Sequence, residues 1–300
     1  MTKIINLSAE DYSRAFPRPS VVYNSMAFTS LNAVRATSVS HVAITDSSGT
    51  PILGLTVGER DEHMLAPFSA PFAMFDFNRE HRAETMLEAA RLLRDRFPGL
   101  LLTLPPAPYW PAMNAKTLLA LLASGARQLY CDWNYHIDLN RDFRADLTSS
   151  NRNKLRRAER EGLSLRRAEP MEAYEIIRLN RDHKGYRLAM SAEQVEQTIK
   201  VVKADFFVVD DSRGQAQAAA MVYHVAPQIA QLIYWGDIPQ PSVRNAMTVL
   251  AALLTEHYRN AGFRVFDLGP SGGEGYPNLG LSEFKESLSA ITSPKPTLQL

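Results

Sequence analysis

This 300-residue sequence predicts an α/β fold built twice, each copy around a mixed sheet. Three observations predict it. The length exceeds that of a usual single domain. Residues 229–268 read as strand, helix and strand. Residues 63–104 follow the same plan: a strand, a helix closed by glycine, and an apolar strand that empties into a Pro- or Gly-rich loop. That is an internal repeat of structure rather than of sequence. The expected domains are residues 1–140 and 141–300, joined where polarity rises and no apolar period survives, and the second is expected to carry the active site.

In the first copy, residues up to about Ser20 are polar and broken by proline, and VVYNSMAFTSLNAV reads as an apolar lead-in or short helix. Residues 41–45, 51–58 and 63–68 read as an antiparallel run, with Asp46-Ser47-Ser48-Gly49 as its first turn. The next stretch, APFSAPFAMFDF, is dense in Pro and Phe without a clean period. It either walls a pocket or fills the core, and core is expected because aromatic side chains mostly pack. A helix over 82–96 stops at Pro98-Gly99, and a short buried strand follows at 100–104. A helix over 116–123 is capped at Gly125. Leu129, Cys131, Trp133, Tyr135 and Ile137 then alternate with polar residues through a half-buried strand.

The second copy opens with a helix over 149–161 stopped by Gly162, then a strand at 163–167. Helices over 170–181 and 192–202 flank a loop at 182–190, and 204–209 pairs with 215–226 as a hairpin. The strand AQLIYWGD ends before Pro239 and Pro241, which cannot continue it. Ser242 stands where an N-cap oxygen belongs, so the next helix is expected from about Val243. Ala246, Val249, Leu250, Leu253 and Leu254 form its buried face, and Gly262 supplies a left-handed stop. A crossover of this length is right-handed, so its two strands lie parallel. The helix start, Ser242, Val243, Arg244, Asn245 and Ala246, offers free amides and one cation to an anionic group.

Composition excludes several classes. Charged residues at 22%, hydrophobic ones at 45% and a net charge of +1 make no global case for nucleic acid or membrane. The single cysteine, Cys131, excludes an internal disulfide and fits a reducing, cytoplasmic setting. The N-terminus lacks the apolar run of a signal peptide, and no eighteen-residue apolar stretch occurs. The seven histidines show no metal-ligand spacing, so no metal is expected.

Four pieces carry a resemblance, and their order matters more than any one alone: RNKLRRAEREGL, YWGD, the Arg244-led helix with the strand ending in DLG, and the terminal GLSEFK. Residues 151–288 resemble the Fem-type peptidyltransferases and their FemAB-like relatives, acyltransferases of the GNAT fold. The resemblance implies tandem GNAT-like domains and transfer of an acyl or aminoacyl group directly to an amine acceptor. The implied donor is an acyl-CoA or an aminoacyl-tRNA. It further implies that Phe284-Lys285 stands against the transferring acyl group, where Lys285 would stabilise an oxyanion. Tyr234 and Tyr276 are candidate acids for the leaving group. Arg152 and Arg156, on the basic helix, would lie near substrate; the alternative is a solvated face. His183 and Lys184 would sit in an acceptor-site loop, with Trp235 of YWGD beside it.

Two features oppose parts of this reading. CoA enzymes of this fold place glycines in their pyrophosphate loop, whereas here Val243-Arg244-Asn245-Ala246-Met247-Thr248 has none. No side chain stands out as a base, so the alternative is a non-catalytic ligand-binding protein on a duplicated acyltransferase fold. Gly269-Pro270-Ser271-Gly272-Gly273 fits a nucleophile elbow by spacing, but no helix follows directly, and a hydrolase is not expected.

Overall fold

The computed structural model describes residues 2–243 and 245–300 and divides into two compact units. The first takes the chain up to Trp133 with Gly273–Tyr276 and Ser293–Leu300; the second takes Asn134–Gly272 with Pro277–Thr292. In chain order the elements of the first half are β1 (Lys3–Leu7), α1 (Ala9–Ala15), α2 (Met26–Asn32), β2 (Ser38–Thr45), β3 (Pro51–Arg60), β4 (His63–Ala66), β5 (Asp76–Phe77), α3 (Ala83–Arg96), β6 (Leu101–Thr103), α4 (Pro111–Ala123) and β7 (Arg127–Asp138). The second half continues with α5 (Phe143–Asp146), α6 (Ser149–Arg160), β8 (Ser164–Arg167), α7 (Pro170–Lys184), α8 (Ala192–Thr198), β9 (Ala204–Asp210), β10 (Ala216–Ala226) and β11 (Ile229–Asp237). It closes with α9 (Ala246–Asn260), β12 (Val265–Pro270), the short β13 (Gly272–Gly273) and β14 (Tyr276–Pro277), α10 (Leu279–Ser287) and β15 (Ile291–Gln299).

In the first unit the strands run β1-β2-β3-β4-β6-β15. All neighbours are antiparallel except β4 and β6, the pair joined through α3, where Leu65 faces Leu101 and Ala66 faces Leu102. The second unit runs β7-β12-β11-β10-β9-β8, again with one parallel pair, β11 and β12, joined through α9. In each unit, as expected, the strands are mixed, with one parallel pair joined by a crossover helix among antiparallel neighbours.

The Pro/Phe stretch fills the first unit, as expected. Beyond Ala66 and Leu102 it folds back so that the Ala73 amide donates to the Thr103 carbonyl at 2.8 Å. Phe72, Met74 and Phe75 are buried there, and the Phe72 ring meets Tyr109 at 4.8 Å and Tyr23 at 5.4 Å. A buried carboxylate, Asp76, anchors the end of the stretch, accepting from the Tyr12 hydroxyl, the Ser20 amide and the Asn24 side chain. Burial pushes its pKa up to about 6.

Several sequence-based boundaries need correction. The polar N-terminus forms β1 and α1: Ser8 caps the helix from its side chain, and β1 is stabilised by pairing with β2 rather than by its own pattern. The α4 helix starts at Pro111, not near residue 116, because proline is well suited to the first helical position. His183 and Lys184 lie in the last turn of α7, which runs on to the left-handed Gly185. The α9 helix begins at Ala246 rather than Val243. Ser242 is not its cap, since its amide donates to the Gln217 side chain and its hydroxyl to Asp211 and Gln217. Asn245, at φ +68°, makes the turn into the helix instead. Arg244 lies outside the described residues.

Candidate active site

The site begins with a divergence of strands. β11 and β12 pair only over Ile229–Gln231 and Val265–Asp267, yet β11 continues to Asp237 and β12 to Pro270. Past that point the two strands part, and a ladder bulge between Met221 and Val222 bends β11 against β10. Carboxyl ends of parallel strands that separate in this way are where open α/β sheets place ligands.

A cavity of about 580 Å³ opens there, within the usual range for small-molecule sites. Trp235 and Phe284 face it with ring centroids 5.6 Å apart, and Met247 and Leu281 extend that apolar end. Asn180, Arg181, Lys184 and Tyr186, from the end of α7 and the residues after it, form the polar end. Gly236 lines it as well, because β11 and α7 approach closely: a Cβ there would fall 2.7 Å from the Asn180 side chain. Asn180 is itself held by two bonds to Asp237, one to the backbone carbonyl and one to the carboxylate.

The glycine-rich loop supplies the remaining wall through Gly272. Two buried charges grip its start. Asp267 accepts from the Gly269 amide at 2.9 Å, from Asn134 at 2.8 Å and from Gln231 at 2.9 Å, stitching β7, β12 and β11 where the strands part. From α10, Lys285 donates to the carbonyls of Gly269 at 2.8 Å and Pro270 at 2.9 Å. Gly269 has φ +72°, a conformation only glycine adopts freely. Lys285 is 2% exposed, and its ammonium lies 5.6 Å from the Tyr135 ring centroid. Burial draws its pKa down to about 7, with Asp267 opposing the shift.

The residues singled out from sequence scatter more widely than one site. Trp235, Phe284 and Lys184 line the cavity; Lys285 is next to Phe284 in the chain but is not a lining residue. Tyr234 alternates away under the loop after α7, where burial raises its phenol pKa against the amides of Ala189 and Met190. Tyr276 belongs to the first unit and is 82% exposed. Arg152 donates to the carbonyls of Ala145 and Leu147, and Arg156 is exposed on α6, so both act on the helix surface. His183 is exposed. Val243 and Ala246 are buried at the start of α9. At Ser242, the Asp211 carboxylate stands 3.0 Å from the hydroxyl, an unfavourable neighbour for a diphosphate. Ser271 is 1% exposed with its hydroxyl unpartnered among the described residues, and no helix starts until Leu279.

Sequence reasoning carried Asp267 only within the DLG step, without a role, and missed Asn180, Arg181 and Met247. Asp267 had a readable signal, a carboxylate between Phe266 and Leu268 in an apolar strand. Met247 and Asn180 had none, since their roles depend on which elements meet.

No family model and no curated protein matches the chain. Solved structures do. Over 99% of this chain and 96% of its own, FemX superposes with a TM-score of 0.69 at 10% identity. The C-terminal domain of a putative lysylphosphatidylglycerol synthetase from Agrobacterium fabrum covers 97% of this chain and 92% of its own, with a TM-score of 0.62 at 14% identity. A tandem GNAT protein from the clavulanic acid biosynthesis pathway covers 100% and 98%, with a TM-score of 0.52 at 14% identity. The fold is the one shared by FemX and the tandem GNAT protein, as the sequence resemblance implied. Among the described residues no helix is long and apolar enough to cross a membrane.

Proposed function

We propose that the second unit is an acyl- or aminoacyl-transferase that moves its acyl group directly to an amine. One observation carries the reading: parallel β11 and β12 part beyond Gln231 and Asp267, and their separation opens a ligand-sized cavity lined by Trp235 and Phe284. The fold shared with FemX and the tandem GNAT protein supports it.

In this reading the amine nitrogen attacks the donor's acyl carbon. The new C–N bond forms as the bond to the donor's sulfur or ester oxygen breaks, and the amine's proton departs with the leaving group. Backbone amides of the loop after Gly269 stabilise the developing oxyanion. Lys285 and Asp267 hold that loop still, which places Lys285 in a positioning role through its two carbonyl bonds.

The donor is either an acyl-CoA or an aminoacyl ester of tRNA. The approach to α9 has no glycine, a left-handed Asn245 and the Asp211 carboxylate beside Ser242, features that favour a donor needing no diphosphate cradle there. A second reading, a ligand-binding protein without catalysis, draws on the absence of His, Asp or Glu from the described lining residues. The protein incubated with acetyl-CoA, a medium-chain acyl-CoA or aminoacyl-tRNA, and a panel of amines, decides between them. The expected result is an acylated amine seen by mass spectrometry with one donor class. No product above background with any donor overturns the transferase reading and leaves the binding protein.

A further inference from the structure

We infer that the polar end of this cavity is a subsite for a single negative charge, a carboxylate joined to an apolar or aromatic group, rather than for a diphosphate. The inference rests on the proposed function only in taking this anion as part of the amine acceptor.

Charge at that end can be counted. Arg181 and Lys184 are the described lining residues that carry charge, and both are cations. Lys184 is partly neutralised, its ammonium 3.4 Å from the Asp237 carboxylate, which Asn180 also holds. Two cations and one carboxylate leave a local balance of one positive charge. Arg181 has capacity to spare: its Nε is buried and has no partner among the described residues, while its guanidinium carbon lies 5.9 Å from the Tyr186 ring centroid. That Nε–H has no surface open to the cavity, so a ligand meets Arg181 through the terminal nitrogens of its guanidinium. A planar carboxylate matches the guanidinium edge, and one negative charge matches the balance. A diphosphate would bring two or more charges to a site that offsets one.

The apolar end sets the rest of the ligand. Trp235 and Phe284, 5.6 Å apart and tilted by 58°, with Met247 and Leu281, offer surface to a ring or alkyl chain. The ligand class is therefore an amphiphilic monoanion, the carboxylate toward α7 and the apolar part toward α10.

Binding to the whole protein tests this without any assumption about chemistry. The probes are 3-phenylpropionate, its neutral amide, phenyl phosphate and inorganic pyrophosphate, followed by calorimetry and by Trp235 fluorescence against a Trp235→Phe control. Phenylpropionate is expected to bind most tightly. Arg181→Gln should weaken it about tenfold, the scale of one charge-assisted hydrogen bond, and Arg91→Gln on the exposed face of α3 should leave it unchanged. The inference is overturned if phenylpropionate shows no saturable binding, if the amide or either phosphate binds better, or if folded Arg181→Gln binds it as the wild type does. Carboxylate binding without acyl transfer would uphold this subsite while removing the transferase reading.

Discussion

Lys285 shows how one residue's environment decides its part. A lysine in a terminal helix would ordinarily lie in solvent with a pKa near 10.4. Here it is 2% exposed, bonded to two carbonyls, and its pKa falls to about 7. The unfolded chain then binds more protons than the folded one between pH 7 and about 10, so this residue's contribution to stability rises with pH across that window. The stability of the wild type relative to Lys285→Met should therefore increase from pH 7 to pH 9.5, by roughly 3 kcal/mol at ~1.4 kcal/mol per pH unit. Urea unfolding of both proteins across that range measures it. A difference that is flat with pH would show that the ammonium is not desolvated as described.

At the scale of elements, the close approach of β11 to α7 and the loop after β12 shape the cavity. A methyl group at Gly236 would meet Asn180 at 2.7 Å, and Asn180 is tied to Asp237, so the helix must shift. Gly236→Ala should cost about 1–3 kcal/mol, the usual range for overpacking, and should also weaken any ligand of the cavity, because Asn180 and Gly236 both line it. Thermal unfolding and probe binding on the same variant check the two effects together. The glycine-rich loop predicts the opposite behaviour at Ser271. Its buried hydroxyl has no partner among the described residues, so Ser271→Ala should leave Tm unchanged or higher and acyl transfer within about threefold of wild type. Loss of activity on the scale of a deleted nucleophile, about a thousandfold or more, would restore the hydrolase.

Across the whole molecule, the two copies of one plan have been used differently. In the first unit the place beyond the parallel pair β4 and β6 is filled by Phe72, Met74 and Phe75. In the second, the corresponding place beyond β11 and β12 is open and bordered by half-buried Trp235 and Phe284. Truncation at the two places should separate stability from binding. Phe72→Ala should cost about 3–5 kcal/mol, as for a core aromatic, and leave cavity ligands bound with unchanged affinity. Phe284→Ala should cost nearer 1 kcal/mol but reduce binding of an aromatic ligand. Denaturant unfolding and probe titration distinguish them, and equal stability losses would argue against the assignment of plug and site.

What the sequence determined by itself follows from short-range chemistry. The three-and-four spacing of Ala246, Val249, Leu250 and Leu254 and the stops at Gly162 and Gly262 act over a few residues, so the strand, helix and strand unit was legible, while the alternation in β7 gave the strand but not its faces, since Leu129 and Trp133 are exposed and Asp132 and Asn134 buried. The DLG and Phe-Lys steps could likewise be read as important. Tertiary structure alone decided what they do. Whether Lys285 meets solvent or two carbonyls depends on where α10 lands against β12, and whether Ser242 caps a helix depends on Gln217 and Asp211 arriving from the hairpin. The same holds for Arg181 and Met247, distant in sequence and brought to one cavity. Such placements arise from the packing of whole elements around the parting of β11 and β12, which no local pattern of residues records.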